Sequence, residues 1–393
     1  MQQKFKAHRL LTNGNTNIAL IDKLNITDTE DKLLVECRAD VRKYLKEGFQ
    51  QLRSNASIKF QEFEDDIRNL NPKFWTQGSY AYKTMNDPAT NPPQQIDLDD
   101  GVYFPMALLD GKPLAVKNKL LKLIKLILTE LADNKGWGVS EKTTCLRLEV
   151  NSRVHIDVPV YAIPEQKYVM LKAAMESRNN FADSSSDLEF MYLDPDEVHL
   201  ARWDNDDWIK SDPKELHEWF ISKTKLHGKR FLRRVCRYMK AWRDHQWDKG
   251  GPSSITLMVV VAKVFDDNLM INKKEFASDC EALLAIANEL PAIFNTEIKN
   301  PIADDEIIFP RDINQIEVEA IRQKVAEFSN SINSLCYSQT EQQVVNEFMR
   351  IFGSRLPNKP EWVERYTVGD VVRNSPHVTS TASTAFKEEH RSG

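Results

Sequence analysis

Cysteine is scarce in this sequence: only five cysteines occur among its 393 residues. They are Cys37, Cys145, Cys236, Cys280 and Cys336. An odd number of widely separated cysteines, with no C-x-x-C pair, disfavours both a disulfide framework and a structural zinc site. We therefore expect reduced and mostly buried thiols, as is usual in a cytoplasmic protein.

Long apolar runs and a strong excess of one charge are also missing. The most apolar stretch, residues 255–265, is too short to cross a bilayer. The first residues, MQQKFKAHRLL, lack the apolar core of a signal peptide. The formal net charge is −5, which disfavours a protein that coats nucleic acid. These absences predict a soluble, cytoplasmic chain with neither a membrane segment nor a stable nucleic-acid partner.

The hydrophobic pattern predicts an α/β part in the first half of the chain. Residues 28–54 place apolar side chains on one stripe of a long helix, which begins with the capping box of Thr27 and Glu30. A second helix runs from Pro113 to about Leu131. The lysines of this second helix are expected to form a solvated face; they are Lys117, Lys119, Lys122 and Lys125. Strands are predicted from β-branched and aromatic residues at 96–104, 143–150 and 154–163.

A loop-rich stretch at 176–214 precedes a series of helical patterns that continues to about residue 352. From residue 374 onward the sequence is polar and charged, which is typical of disorder. The predicted organisation is an N-terminal segment with a spine helix (1–54), an α/β lobe (55–205), a helical lobe (206–372) and a disordered tail (373–393).

Two aspartates stand two residues apart within the strand pattern QIDLDDGVYF. Asp97 and Asp99 therefore point to the same face of the sheet, whereas Asp100 points to the other face. Two carboxylates so close together repel each other unless one is protonated or a cation lies between them. Hard oxygen ligands at this spacing suit Mg²⁺ or Mn²⁺.

Asp157 is the candidate for a third ligand, because it is the only carboxylate in the apolar pattern VHIDVPVYAI. Three carboxylates can hold two metal ions for an in-line displacement at phosphorus. The plainer alternative is an aspartate at a strand end that accepts a backbone hydrogen bond. An EF-hand is disfavoured, since the glycine of DLDDG falls one position early and the twelfth position is Leu108 instead of Glu.

A phosphate group near these carboxylates needs hydrogen-bond donors. Gly78 allows the backbone to approach closely, and Ser79 offers a hydroxyl at a helix start. Farther along the chain, Arg233, Arg237 and Lys240 share one helical face, which could hold a triphosphate or could be a salt-bridged solvent face. Ser254 follows at the beginning of the next helix, where serine commonly serves as a cap.

Taken together, these motifs resemble the polymerase-β-like nucleotidyltransferases. Their pattern of Gly-Ser, h-Asp-h-Asp and h-Asp-h corresponds here to Gly78-Ser79, IDLD at 96–99 and IDV at 156–158. The segments QGSYAYKT, IDLDDGVYFPM and RYMKAWRD, followed by PSSI, are similar to the bacterial cGAS/DncV-like nucleotidyltransferases (CD-NTases).

This resemblance implies a two-lobed α+β fold, in which a mixed-sheet N-lobe and a helical C-lobe are joined along the long spine helix. It also implies roles for individual residues. Asp97, Asp99 and Asp157 would be catalytic and bind two Mg²⁺ ions, or Mn²⁺. The implied nucleotide-binding set is Gln77, Gly78 and Ser79 at the donor triphosphate, Tyr82 near a base, Arg147 near a phosphate, and Lys240 and Ser254 at the phosphate tail.

The implied activity is the synthesis of a cyclic oligonucleotide with release of pyrophosphate. The expected product is 3′,3′-cyclic GMP-AMP from ATP and GTP, which would activate an effector protein in anti-phage defence. Another cyclic di- or trinucleotide, nucleotide addition to RNA or to a small-molecule hydroxyl, and nucleotide sensing without turnover remain alternatives. We also expect a monomer, and Gly393 is compatible with attachment to a target by ubiquitin-like conjugation machinery.

Overall fold

The computed structural model describes residues 5–54, 67, 70–105, 113–163, 198–204, 208–211 and 213–367. Most of the loop-rich stretch and the whole predicted tail, including Gly393, lie outside the described residues. The strands are β1 (Phe5–Lys6), β2 (Lys73–Gln77), β3 (Ile96–Pro105), β4 (Gly138–Glu141), β5 (Leu146–Glu149), β6 (Val154–Val158), β7 (Val160–Ile163), β8 (His199–Ala201), β9 (Trp208–Lys210), β10 (Ile298–Asn300), β11 (Ala303–Phe309) and β12 (Glu364–Arg365).

The helices alternate with these strands in the first half of the chain and dominate the second half. They are α1 (His8–Leu11), α2 (Leu20–Lys23), α3 (Asp28–Arg53), α4 (Gly78–Tyr82), α5 (Pro113–Lys135), α6 (Pro213–Leu226), α7 (Phe231–Gln246), α8 (Ser254–Asn272), α9 (Asp279–Phe294), α10 (Gln315–Ser334) and α11 (Glu341–Phe352). Two short 3₁₀ helices, Gly353–Arg355 and Pro360–Trp362, follow α11. No helix among the described residues is both long and apolar enough to span a membrane.

The central mixed sheet is organised around β3. Strands β6 and β7 both run parallel to β3 in one continuous register, with Ile96 opposite Val154 and Val102 opposite Val160. They thus form nearly the single strand that the sequence predicts, interrupted only at Pro159, whose carbonyl accepts the Val102 N–H at 2.9 Å. Strand β2 pairs antiparallel with β3, and β5 pairs antiparallel with β6.

The long helix α3 lies against this sheet. Its predicted capping box is present: Thr27 Oγ1 accepts the Glu30 N–H at 3.2 Å, and a Glu30 carboxylate oxygen accepts the Thr27 N–H at 2.9 Å. The predicted apolar stripe is fully buried and packs on the sheet and on α5; it comprises Leu34, Val41, Leu45 and Phe49. Amphipathic periodicity therefore located this helix correctly.

One expectation for α5 is wrong. Lys122 and Lys125 are exposed as predicted, but Lys117 is fully buried, and Val116 and Leu120 beside it are also buried. The amphipathic period gives the direction of the apolar face. It does not show how much of the helix circumference the rest of the fold covers near the beginning of α5.

The buried apolar residues form two main cores. The first lies between α3, α5 and the central sheet. The second is built from helices of the C-terminal half, and Leu10 and Leu11 of the N-terminal segment also contribute to it. Strand β1 pairs with β12 near the end of the described chain, with Phe5 opposite Arg365. The first residues thus pack with the late helices, while α3 packs with the sheet.

Candidate active site

The parallel register of β3 and β6 brings the three predicted carboxylates together. Asp99 lies opposite Asp157, and Asp97 lies opposite His155. Directly opposed residues of neighbouring strands point to the same face of a sheet, so the structure places Asp97, Asp99 and Asp157 on one face. Asp157 is only 7% exposed.

Asp100 points to the opposite face, as predicted. Its carboxylate is fully buried and accepts a hydrogen bond from Arg42 Nε of α3 at 2.6 Å and one from Thr76 Oγ1 at 2.8 Å. This aspartate therefore ties the spine helix to the sheet and takes no part in the carboxylate cluster.

Electrostatic repulsion is strongest at Asp99. Burial, together with the neighbouring carboxylates of Asp97 and Asp157, raises the pKa of Asp99 well above its usual value, and the positive charges of Arg147 and Lys240 oppose this only in part. A buried carboxylate between two others is stabilised in its ionised form only by added positive charge. The cluster thus has the electrostatics of a cation site.

The donor set also fits a divalent metal ion. Asp97 Oδ1 is buried and has no hydrogen-bond partner among the described residues. One ligand atom each of Asp97, His155 and Asp157 lies within 4.8 Å of the others. Carboxylate oxygens are the usual protein ligands of Mg²⁺ and Mn²⁺, so Asp97, Asp99 and Asp157 are suited to hold such ions.

Asp157 already has one cationic partner. The Arg147 guanidinium donates to both of its oxygens, from Nε at 2.7 Å and from a terminal nitrogen at 2.8 Å. The Cys145 thiol also donates to Asp157, and burial beside that carboxylate raises the pKa of the thiol. Cys145 consequently remains a neutral donor and is not a metal-ligating thiolate.

The Gly-Ser turn adjoins Asp99. Gly78 has a φ of +67°, and a Cβ at this position would lie 1.9 Å from Asp99 Oδ2. Only glycine permits this close approach. Ser79 lies in the first turn of α4, and the buried Gln77 side chain before it accepts a hydrogen bond from the Tyr161 hydroxyl at 3.2 Å.

Lys240 and Ser254 approach the carboxylates from the helical lobe. Lys240 is buried on α7, and its ammonium donates to the Thr84 carbonyl at 2.8 Å. Burial and the nearby Arg243 charge lower the pKa of Lys240 to about 8. Ser254 begins α8 and accepts a hydrogen bond from Arg243 at 2.9 Å, while Ser253 caps the helix through the Thr256 N–H.

The other basic residues of the α7 stripe bind the end of α4 and the loop that follows it. Arg237 donates to the Asn86 side-chain carbonyl at 2.9 Å, and Arg233 donates to the Tyr82 carbonyl at 3.0 Å. In return, the Gln94 amide donates to the carbonyls of Asp244 and Trp247 near the end of α7. This stripe is thus a bonded contact between the lobes.

Tyr82 is buried and lies at the same junction. Its ring stacks on His217 of α6, with centroids 5.5 Å apart and planes 25° apart, and it meets Phe220 edge to face. The stacking partner in this structure is therefore a histidine from the helical lobe.

A cleft of about 770 Å³ lies between the two sets of residues. All ten residues predicted for the site except Asp157 line it, and Asp157 is joined to the cleft-lining Arg147. The lining residues that sequence reasoning missed include His155, Arg243 and Gln95. The alternation that paired Asp97 with Asp99 also places His155 on the face of Asp157, so the signal for His155 was present. Arg243 follows Lys240 by one helical turn.

Two family models match this chain. The nucleotidyltransferase domain described as cyclic GMP-AMP synthase DncV-like matches residues 72–161, and the C-terminal domain of cyclic GMP-AMP synthase matches residues 228–365. The cyclic GMP-AMP synthase of Vibrio cholerae serotype O1 is 32% identical over 91% of this chain and 92% of its own length. A cyclic GMP-AMP synthase of Escherichia coli is 32% identical over 86% of this chain and 89% of its own length.

Solved structures agree with the sequence comparison. The crystal structure of Vibrio cholerae DncV cyclic AMP-GMP synthase in complex with the linear intermediate 5′ pppA(3′,5′)pG has a TM-score of 0.77 and 30% identity, and covers 93% of this chain and 100% of that chain. Its complex with nonhydrolyzable GTP has a TM-score of 0.76 and 29% identity, over 92% of this chain and 100% of that chain. These matches confirm the predicted two-lobed, polymerase-β-like α+β fold. The chain therefore belongs to the DncV-like family of cyclic GMP-AMP synthases, which are nucleotidyltransferase enzymes.

Proposed function

We propose that this enzyme uses Mg²⁺ to join ATP and GTP into 3′,3′-cyclic GMP-AMP with release of pyrophosphate. The product would activate an effector protein in bacterial anti-phage defence. Support for the substrates comes from the Vibrio cholerae relative, which has been solved with the linear intermediate 5′ pppA(3′,5′)pG, with nonhydrolyzable GTP and with 3′-deoxy ATP.

The observation that carries the proposal is the pairing of charges across the cleft. On one wall, Asp97 and Asp99 stand beside Asp157 on the sheet. On the other wall, Lys240 in the middle of α7 and Ser254 at the beginning of α8 face the cleft from the second lobe. Carboxylates suited to metal ions facing donors suited to phosphate are the two halves of a phosphoryl-transfer site.

The proposed roles follow from these positions. Lys240 and Ser254 bind the triphosphate tail, while Gln77 and Ser79 bind the donor nucleotide beside the Gly78 turn. When bound, two Mg²⁺ ions would reduce the charge on the reacting phosphate and stabilise the attacking and leaving oxygens. Arg147 and Tyr82 complete the nucleotide-binding set, at a phosphate and at a base respectively.

In the reaction, an acceptor 3′-hydroxyl attacks the donor α-phosphate, a new P–O bond forms, and the bond to pyrophosphate breaks. Asp157 accepts the hydroxyl proton, and Arg147 keeps the carboxylate oriented toward it. The linear dinucleotide then turns so that its other 3′-hydroxyl meets the remaining triphosphate, and the same residues close the ring. Positioning of the two substrates supplies much of the rate acceleration.

The test is incubation of the full chain with ³²P-labelled ATP and GTP plus Mg²⁺, followed by phosphatase digestion and chromatography. We expect one phosphatase-resistant product that co-migrates with 3′,3′-cyclic GMP-AMP. The Asp97→Asn/Asp99→Asn double variant should make none of it, whereas the adjacent Asp100→Asn variant should retain the activity.

The other outcomes distinguish the alternatives. A resistant product that requires CTP or UTP, or that runs as a trinucleotide, would replace the assigned product but keep the reaction type. A phosphatase-sensitive ladder with added RNA would indicate a tailing enzyme. Unchanged synthesis by the double variant would refute the carboxylate site itself.

A further inference from the structure

His155 occupies a position in the carboxylate cluster that the proposed reaction does not use. It lies on β6 directly opposite Asp97 on β3 and two residues before Asp157, so its ring shares their face of the sheet. The residue is only 5% exposed, and it lines the cleft. A buried imidazole among metal-suited carboxylates needs an explanation.

The hydrogen bonds around His155 determine which ring nitrogen faces the carboxylates. The Gln95 amide nitrogen donates to the carbonyls of Asn151 and Ser152, at 3.3 and 3.2 Å, which directs the Gln95 amide oxygen toward the imidazole. That oxygen lies 3.0 Å from His155 Nδ1. Because an amide oxygen can only accept, Nδ1 is the donor in this contact, and Nε2 is the ring nitrogen that faces the cluster.

The atom that Nε2 faces is a carboxylate oxygen of Asp97. His155 Nε2 lies 3.0 Å from Asp97 Oδ1, and both atoms are buried without a hydrogen-bond partner among the described residues. The two desolvated polar atoms lie close together without a hydrogen bond between them, and a cation bound by both would satisfy them. The arrangement therefore has the form of two ligands that converge on one cation.

The distance is also suitable for coordination. Two ligands at right angles around an octahedral ion, each about 2.1 Å from it, are separated by about 3 Å. One ligand oxygen of Asp157 lies within 4.8 Å of a ligand atom of each of the other two residues. The two hydrogen bonds from Arg147 and the one from Cys145 leave one of the roughly four lone-pair sites of the Asp157 carboxylate for a metal ion.

A second buried histidine shows the contrast. His227 Nε2 and Asp266 Oδ1 are 2.7 Å apart with hydrogen-bond geometry, and Lys223 binds the other Asp266 oxygen at 2.6 Å. That histidine–aspartate pair satisfies itself. The pair of His155 and Asp97 lacks hydrogen-bond geometry. The Gln95 amide oxygen stands behind the imidazole, where a metal-ligating histidine usually donates to a carboxylate, a backbone carbonyl or water.

We propose that His155 Nε2 is a direct ligand of one of the divalent cations, together with Asp97 and Asp157, and that the site consequently binds Mn²⁺ in preference to Mg²⁺. This inference rests on the proposed function, because it assumes that the carboxylates hold metal ions. An imidazole nitrogen is a softer ligand than a carboxylate oxygen and favours transition-metal ions over Mg²⁺. Gln95 acts as the positioning residue, since its contact with Nδ1 leaves Nε2 facing the cluster.

Electron spin-echo spectroscopy of bound Mn²⁺ tests this directly. The full chain is loaded with Mn²⁺ and inorganic triphosphate, which contains no nitrogen, so any coordinated nitrogen must come from the protein. We expect ¹⁴N modulation from a directly bound imidazole, and its replacement by ¹⁵N modulation when the protein is made with ¹⁵N-histidine. His155→Gln should abolish the modulation, while the matched variant His227→Gln should retain it.

Metal titrations provide a second measurement. We expect His155→Gln to weaken Mn²⁺ binding at least tenfold and Mg²⁺ binding much less, so that the preference for Mn²⁺ falls. Bound Mn²⁺ without nitrogen modulation in the unaltered protein would overturn the assignment of His155 and leave the carboxylate site standing. If Asp97→Asn/Asp99→Asn bound Mn²⁺ as tightly as the unaltered protein, the proposed function would fail instead. The isotope experiment needs no substitution, so a poorly folding variant cannot obscure the result.

Discussion

The guanidinium group of Arg147 binds both carboxylate oxygens of Asp157, at 2.7 and 2.8 Å. The two residues lie directly opposite each other on the antiparallel strands β5 and β6. Asp157 thus has a fixed counter-charge of its own. Asp99, in contrast, is buried beside two like charges, those of Asp97 and Asp157. This asymmetry separates a carboxylate that is held in place from one that depends on added cations.

Replacement of Arg147 should make folding more dependent on divalent cations. Arg147→Met leaves the nearly buried Asp157 without its partner, and loss of one member of such a pair should lower the free energy of unfolding by roughly 2–4 kcal/mol. Added Mn²⁺ should restore part of that loss, because a bound cation supplies the missing charge. Urea unfolding with and without Mn²⁺ measures both effects.

The exposed pair of Arg202 and Asp204 provides the control. Arg202→Met should change the free energy of unfolding by no more than about 1 kcal/mol, with the same response to Mn²⁺ as the unaltered protein. Equal Mn²⁺ stabilisation of Arg147→Met and the unaltered chain would contradict the idea that the guanidinium and the cation share Asp157.

Gly78→Ala should abolish activity by collision as well as by strain. The new Cβ would lie 1.9 Å from Asp99 Oδ2, and the backbone φ of +67° is unfavourable for alanine. We expect at least a hundredfold loss of cyclic product, measured by the phosphatase-resistance assay. Left-handed backbone alone costs alanine roughly 1–2 kcal/mol.

Gly136→Ala separates the two effects. Gly136 has a similar φ of +71°, but apart from its chain neighbours no described atom lies within 4 Å of its Cβ position, and it does not line the cleft. This variant should lose stability from the backbone term alone and keep its activity. Comparable activity of the two alanine variants would show that the contact with Asp99 is unimportant.

Nucleotide binding should be coupled to protonation of Lys240. Burial, with the nearby Arg243, lowers its pKa to about 8, from an ordinary value of 10.5. A bound triphosphate favours the charged ammonium and raises the pKa again, so binding near pH 8.5 should take up a proton. Calorimetry with nonhydrolyzable GTP in two buffers of different ionisation enthalpy should detect that uptake in the unaltered protein and not in Lys240→Met.

The same pKa gives the sign of a stability effect. Between about pH 8 and 10.5 the unfolded chain holds a proton on Lys240 that the folded chain releases, so this group favours folding more as the pH rises through that window. The stability of the unaltered protein relative to Lys240→Met should therefore increase from pH 8 to 10.5. Lys263→Met, at an exposed lysine, is the control for both measurements. If Lys240→Met took up as many protons on nucleotide binding as the unaltered protein, Lys240 could not be the source of the uptake.

Asp99 and Asp100 are neighbours whose substitution should have opposite consequences. Asp100→Asn weakens the buried contact with Arg42 and should lower the free energy of unfolding by roughly 2–4 kcal/mol while leaving turnover of the folded enzyme unchanged. Asp99→Asn removes a repelled charge, so it should stabilise the metal-free protein and abolish activity. Thermal unfolding and product formation are measured on both variants. Loss of activity in folded Asp100→Asn, or retained activity in Asp99→Asn, would contradict this division of roles.

Local patterns were enough to predict the main elements of the site. The capping box of Thr27 and Glu30 located α3, and the two-residue period of a strand put Asp97 and Asp99 on one face and Asp100 on the other. These patterns succeed because capping and side-chain alternation depend on residues only a few positions apart.

What the amino-acid order determined by itself was which side chains share a face. The tertiary structure decided which of them meet. The strand register places Asp97 opposite His155 and Arg147 opposite Asp157, and the loop before β3 is bound to α7. Lys117 is buried on a helix face that the periodicity assigned to solvent. Register and coverage depend on packing between segments far apart in the chain, and the energies of such contacts cannot be read from the period of any one segment.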